Sequence, residues 1–422
     1  MTPGPPTSPL EVPFPAGWQD QPAAWGATVV VALALLWFGR RSALLTAAGG
    51  VALLTAPALG LVSQAVWGHY PTIDKAGSLH FYGMGAHWHA FDVTAPATQL
   101  IGMSMGHLFV TALFDLVLPA FGAMNAQALL NLTLGWWLGA CLVEATGTPR
   151  RWALVAAFPL GVGLHALRDI NWYTIEKSGL WPLVLYALTL VRAHQRGRGW
   201  IAAAVAAYFL AFFYNAYWGV LGAAVGAVVL VGGNRNARLA VLASVLGVVP
   251  FVLAQLPALN NAQLPPPEAF AERAALDVLA PWGGEGFGPN WNRIPLLAAL
   301  DVPVTLAAGV AVVLALREAR SSTPSSRSRL GLALAAVLAA VLACGPATPL
   351  WSAFVHLPGM WRFAKPETFF HLTIGASCIL AGPVLARLRI PPWTVLAVQA
   401  ALWLLHARGS TALYPQFSAW VG

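Results

Sequence analysis

The sequence predicts an all-α integral membrane protein of about 11–13 transmembrane helices, and three observations predict it. Hydrophobic residues fill 58% of the 422 positions and charged residues 9%, where a soluble domain carries about a quarter charged. Apolar runs near the length needed to cross a roughly 30 Å hydrocarbon core, about 20 residues, recur through the chain. The few charges then sort by side. A mean hydropathy of +0.67 excludes a water-soluble globule, a disordered chain and a nucleic-acid binder, so the lipid bilayer is the first expected partner.

In chain order, residues 1–23 form a proline-rich extended arm, without the basic start of a signal peptide. Residues 24–407 read as a single polytopic domain, and 408–422 as a short tail. Its apolar runs are 24–39, 43–66, 124–145, 152–169, 179–194, 199–214, 216–232, 238–257, 295–317, 329–345, 367–387 and 391–407. The first pair is the least distinct, because Arg40 and Arg41 leave almost no loop, and one long tilted helix there would put the N-terminus inside. A further stretch, 102–121, is apolar enough to cross but carries His107 and Asp115, which are costly at mid-bilayer. It is expected to lie along the outer interface or to dip in and out, ending at Pro119 and Gly122.

Lys and Arg accumulate in cytoplasmic loops. Assigning alternate loops inward collects 15 of the 23 cations, from Arg40 and Arg41 through Arg150, Arg151, Arg192, Arg196, Arg198, Arg235 and Arg238 to Arg317, Arg320, Arg327, Arg329, Arg387 and Arg389. Of the 15 acids only Glu144 and Glu318 fall near the inner ends. The formal +8 is therefore a topology signal, and it places both termini and the outer loops 67–123, 258–294 and 345–366 on the outer, periplasmic face of a bacterial inner membrane. Cys141, Cys344 and Cys378 lie in apolar stretches and read as small core residues.

Polar and aromatic residues concentrate in those outer loops. Asp74 stands eight residues beyond Val66, where a carboxylate beside apolar walls can act as a general base; Asp92 is the competing acid, and an ordinary solvated loop acid is the alternative for each. His87 and His89, two apart, could share one face of a strand and with a carboxylate such as Asp92 hold a divalent metal, the cofactor being otherwise unknown, or could instead anchor the loop at headgroup depth. Arg362 and Lys365 precede the span that opens at Pro366 and Glu367, which suits them to an anion or lipid phosphate, or to headgroup anchoring or an ion pair with Glu367. Arg168, Asp169, Glu176 and Lys177 form a balanced set suited to internal ion pairs, with Arg168 and Glu176 also standing as binding candidates. The run FFYNAYWG at 212–219 reads mainly as an aromatic belt. An aromatic lining for a sugar or lipid headgroup is its other reading, with Tyr214 as the candidate.

Four segments in order along the chain resemble the GT-C superfamily of polytopic membrane glycosyltransferases and its uncharacterised bacterial relatives. They are HYPTIDKAG with the following apolar helix and MNAQALLNLTLGWWLGACLV; IEKSGLWPLVLYAL; FFYNAYWGVLGAAVG; and LPGMWRFAKPETF, together spanning roughly 45–390. The resemblance implies transfer of a sugar, with inversion, from a polyprenyl-phosphate donor to an acceptor on the outer face. By the same resemblance Asp74 matches the assisting carboxylate and Arg362 the arginine of the late segment. It further implies that the first and third outer loops meet. A transporter or flippase of a lipid-linked substrate, and a scaffold subunit that keeps the fold without turnover, are the two competing classes. A transporter needs ionisable groups within the spans, for which Asp115, Glu144 and Asp301 are the nearest candidates.

Overall fold

Long apolar stretches with few charges leave the backbone no water to bond, and helices that satisfy their own N–H and C=O groups are the natural outcome. A computed structural model describes residues 22–39, 42–55, 106, 110, 113, 114, 116, 117, 120–163, 179–261, 276, 277, 294, 295, 301–318, 324–345, 348–356 and 366–412. Among these the chain is overwhelmingly helical. The helices are α1 (Pro22–Gly39), α2 (Ala43–Thr55), α3 (Ala120–Ala145), α4 (Arg150–Ala156), α5 (Phe158–Val162), α6 (Trp181–Arg196) and α7 (Ile201–Tyr214). They continue as α8 (Ala216–Gly232), α9 (Arg235–Asn261), α10 (Val302–Glu318), α11 (Pro324–Ala343), α12 (Pro349–Val355), α13 (Pro366–Leu385) and α14 (Pro392–Ala412). One parallel pair of two-residue strands, β1 (Leu276–Asp277) and β2 (Ile294–Pro295), lies between α9 and α10, with Leu276 opposite Ile294.

Local chemistry sets the breaks. The run expected as one span over 152–169 is divided at Ala157 into α4 and α5. Pro159 lacks the N–H that would bond the Val155 carbonyl, and Gln399 Nε2 of α14 donates to that oxygen instead at 3.0 Å. Helix α6 stops where Gly197 takes φ +91°, a left-handed conformation natural to glycine, with its N–H on the Ala193 carbonyl. The α7–α8 hairpin turns on Asn215, extended at φ −157°, whose Oδ1 accepts the Tyr217 N–H at 3.0 Å.

Close helix contacts depend on small residues. A side chain at Gly135 would meet the Leu160 carbonyl at 2.5 Å, and one at Gly161 would run into Trp136 Cβ and the Leu132 carbonyl, so α3 and α5 pack backbone to backbone. Trp136, 2% exposed, fills the space beside them, stacks edge-on to Phe158 at 5.2 Å and donates its indole N–H to the Leu154 carbonyl at 2.8 Å. The main apolar core runs from α2 and α3 through α5, α6 and α8 to α13. A smaller one joins Tyr186, Leu190, Tyr208, Ala240, Val241 and Val248 of α6, α7 and α9.

The outward faces are as apolar as the inward ones. Leu242, Leu246 and Leu253 of α9, Leu306, Val310 and Val313 of α10, and Leu334 and Leu338 of α11 are all exposed. Ala126–Ala145 and Arg235–Leu253 are long and apolar enough to cross a membrane, and shorter apolar helices accompany them. Only 28% of the second stretch is buried inside the bundle. A helix that is hydrophobic all round and mostly uncovered is a poor element for water.

The described residues assigned inward by charge collect at one end. Gln195 of α6 donates to the Ala145 carbonyl that ends α3. Asn234, between α8 and α9, donates to His194 Nδ1 and to its carbonyl, at 3.2 and 2.8 Å. Arg329 of α11 pairs with Glu318 of α10 at 3.1 Å, and Thr146, Glu318, Arg329 and Arg387 border one cleft. These contacts place the described loops at one end of the bundle.

Candidate functional site

Helix α3 carries the amides Gln127 and Asn131 among largely apolar residues. Four residues apart, they share a face, and both are fully buried. Polar groups withdrawn from water must find partners, and here the partners come from two other helices. Tyr214, the last residue of α7, donates its hydroxyl to Asn131 Oδ1 at 2.7 Å. Trp181, the first residue of α6, donates its indole N–H to the same oxygen at 3.2 Å. Gln127 Nε2 donates to the Tyr214 hydroxyl oxygen at 3.3 Å. The Trp181 and Tyr214 rings meet edge to face, 5.4 Å apart.

This cluster lies far from the arginine-rich end. Asn131 stands 14 residues before Ala145 on α3, about 21 Å at 1.5 Å per residue. Trp181 and Tyr214 are likewise at the ends of α6 and α7 opposite to Arg196 and Arg198. The chain crowds over the tyrosine, since a Cβ at Gly179 would touch its ring and one at Gly106 would lie 2.8 Å from its Cα. Gly106 belongs to the stretch expected along the outer interface. It is buried here and Val110 packs on the core, whereas Leu116 and Val117 are exposed.

A second aromatic contact joins α8 and α13. Trp218 of α8, fully buried, meets the buried His371 of α13 edge-on at 5.0 Å. Trp218 Nε1 and Thr373 Oγ1 are buried without a hydrogen bond, whereas Gln127, Asn131, Tyr214 and His371 make further contacts beyond those described.

Tyr214 and Trp218 correct the reading of FFYNAYWG as an aromatic belt. Both are 0% exposed, because the Asn215 turn folds α7 back on α8 and directs the two rings inward. Tyr214 is a candidate whose surroundings the structure describes, and its hydroxyl is already engaged in two hydrogen bonds. Asp74, Asp92, His87, His89, Arg168, Glu176, Arg362 and Lys365 lie outside the described residues, as does the expected meeting of the first and third outer loops. Among the described residues no group of three His, Cys, Asp or Glu could hold a metal ion.

Gln127, Asn131 and Trp181 escaped the reading of the sequence as functional residues. Their signal was there, in an amide pair spaced for one face of a span, since such groups are expensive in lipid unless they are satisfied.

Asp301 is the other unusual polar group. It begins α10, its carbonyl accepting the Thr305 N–H at 2.9 Å, and it holds φ +70°, rare outside glycine. Both carboxylate oxygens are buried without a hydrogen bond, so this N-terminal aspartate does not cap its helix. Gln399 of α14 lies against it, and Gln399 Oε1 has no hydrogen bond. Asp301→Asn replaces a buried ionisable carboxyl by a neutral amide that offers an N–H to Gln399 Oε1. The variant is expected to be more stable by about 1–3 kcal/mol, read as a higher midpoint of unfolding in detergent. A lower midpoint would mean that the carboxylate has a structural partner.

Comparison with protein-family models, with curated proteins and with solved structures finds no match for this chain.

Proposed function

We propose that the chain is a multi-pass membrane protein that transfers a sugar from a polyprenyl-phosphate donor to an acceptor at the face opposite its arginine-rich end. One observation carries this reading. Three of the four segments that resemble GT-C transferases meet in one hydrogen-bonded cluster at this end: Gln127 and Asn131 from the first, Trp181 from the second and Tyr214 from the third. Segments up to 87 residues apart are thereby held at one level of the bundle. Residues that are buried and mutually bonded make a rigid floor, and outer loops can build a site on it. In that site Asp74 would take the acceptor proton as sugar and hydroxyl oxygen bond, and Arg362 with Lys365 would stabilise the phosphate that leaves.

The test uses membranes that contain the full chain, supplied with a panel of synthetic polyprenyl-phosphate sugars carrying a labelled sugar. Label passing into a new glycan or glycolipid, with inverted anomeric configuration, supports the proposal. A panel returned unchanged by well-folded protein overturns it.

Buried Asp301 favours a second reading, transport of a lipid-linked substrate, since ionisable groups inside a bundle commonly mark translocation paths. Movement of labelled lipid across the vesicle bilayer without covalent transfer, lost in Asp301→Asn and kept in Asp74→Asn, is the result this reading requires.

A further inference from the structure

At the arginine-rich end, α10, α11 and α13 diverge around a cleft of about 150 Å³. Its walls are apolar, formed by Leu314, Leu332, Ile379 and Val384, with Ala311 and Ala315 leaving the space between them. Pro383 lies within α13 and lines the cleft together with Ile379, whose carbonyl loses its usual i+4 donor to the proline. An apolar-walled space of this size accepts a short hydrocarbon group. Its mouth has the opposite character. Arg329, Glu318 and Arg387 stand at the rim, with the first two side chains 56% and 43% exposed and joined at 3.1 Å.

Among the described residues of the rim, two guanidinium groups accompany one carboxylate. Arg387 is exposed and has no carboxylate partner among the described residues. The Arg329–Glu318 pair is solvent-accessible, and such pairs contribute at most about 1 kcal/mol, so it can yield to a stronger anion. Arginine grips phosphate oxygens in a bidentate fork. Basic pockets between membrane helices at the cytoplasmic side are suited to anionic headgroups. A ligand that satisfies both halves has a phosphate at one end and a hydrocarbon chain at the other.

We propose that this cleft binds one anionic phospholipid of the inner leaflet, its phosphate held by Arg387 and Arg329 and part of one acyl chain lying along Leu332, Ile379 and Val384. The proposal rests on the bilayer placement given above and not on the transfer chemistry. Fractionation separates the two, since a chain that does not enter membranes fails the placement before any lipid is counted.

The experiment is native mass spectrometry of the full-length protein released from nanodiscs of phosphatidylcholine doped with phosphatidylglycerol. The wild type should retain one phosphatidylglycerol in preference to phosphatidylcholine. Arg387→Ala, which removes a charge-assisted contact, should lower that retention about tenfold. Ala315→Phe should abolish it with both arginines intact, because the ring fills the cleft. Glu318→Gln should raise it by freeing Arg329, a gain that a misfolded variant would not show. Equal retention of the two lipids by the wild type, or undiminished phosphatidylglycerol on an Arg329→Ala/Arg387→Ala double variant, overturns the proposal. Displacement of the lipid by millimolar inorganic phosphate alone overturns the acyl-chain part, since it would mean that only the headgroup is held.

Discussion

Asp74→Asn is expected to lower the rate of sugar transfer by about 10²–10⁴-fold, the usual contribution of a positioned general base, while the protein stays in the membrane at the wild-type level. The substitution keeps the shape of the side chain and removes its capacity to accept a proton. The acceptor hydroxyl must lose that proton as its oxygen bonds to the sugar carbon, and an amide cannot take it. Asp92→Asn in the same outer loop should leave the rate within a few-fold, which separates a specific base from the general acidity of the loop. Arg362→Ala should act on the other half of the reaction, where negative charge grows on the departing phosphate and a fixed cation stabilises it most. Transfer rates in isolated membranes measure all three. Undiminished turnover in Asp74→Asn would remove this residue from the mechanism whatever becomes of the transferase reading.

Asn131→Leu is the second large effect, and it is one of stability. One oxygen, Asn131 Oδ1, accepts from both the Tyr214 hydroxyl and the Trp181 indole. Leucine has nearly the same volume and no acceptor, so the buried Tyr214 hydroxyl and the half-buried Trp181 indole would both lose the oxygen they donate to. Each orphaned group costs about 1–3 kcal/mol, giving a total of about 4 kcal/mol. Tyr214→Phe should cost less on its own, because it deletes one of those donors together with the acceptor that Gln127 uses. The double variant, Asn131→Leu with Tyr214→Phe, should then be less damaged than the sum of its parts, as expected of residues in one network. Unfolding midpoints in detergent give all three values, and strict additivity would show that the bonds are not coupled. A loss of transfer activity that tracks stability in this series would mark the network as a support for the site rather than a part of its chemistry.

The helical reading of the sequence is matched closely where an apolar run ends on a strong local signal. The span expected over 216–232 is α8, Ala216–Gly232, and the run expected to open at 367 begins at Pro366. Asn215 and Pro366 mark those boundaries by chemistry that acts within one turn. The run expected over 152–169 instead became two helices, although Pro159 stood in plain view. A proline in an apolar stretch either kinks a helix or ends it, and Gln399 of α14, which bonds the freed Val155 carbonyl, belongs to a segment 244 residues away.

The same distinction governs the site. Composition by itself determined that the described residues are overwhelmingly helical and apolar on outward as well as inward faces, because hydropathy is a sum over local residues. Tertiary structure alone decided that Gln127 and Asn131 meet Tyr214 and Trp181, that Trp218 meets His371, and that Asp301 stands opposite Gln399 with both oxygens unbonded. The physical reason is that a polar side chain in an apolar helix announces only that it needs a partner. Which partner it finds depends on how helices 50 or more residues apart pack, and small residues such as Gly135 and Gly161 set that packing through backbone contacts no hydropathy sum records.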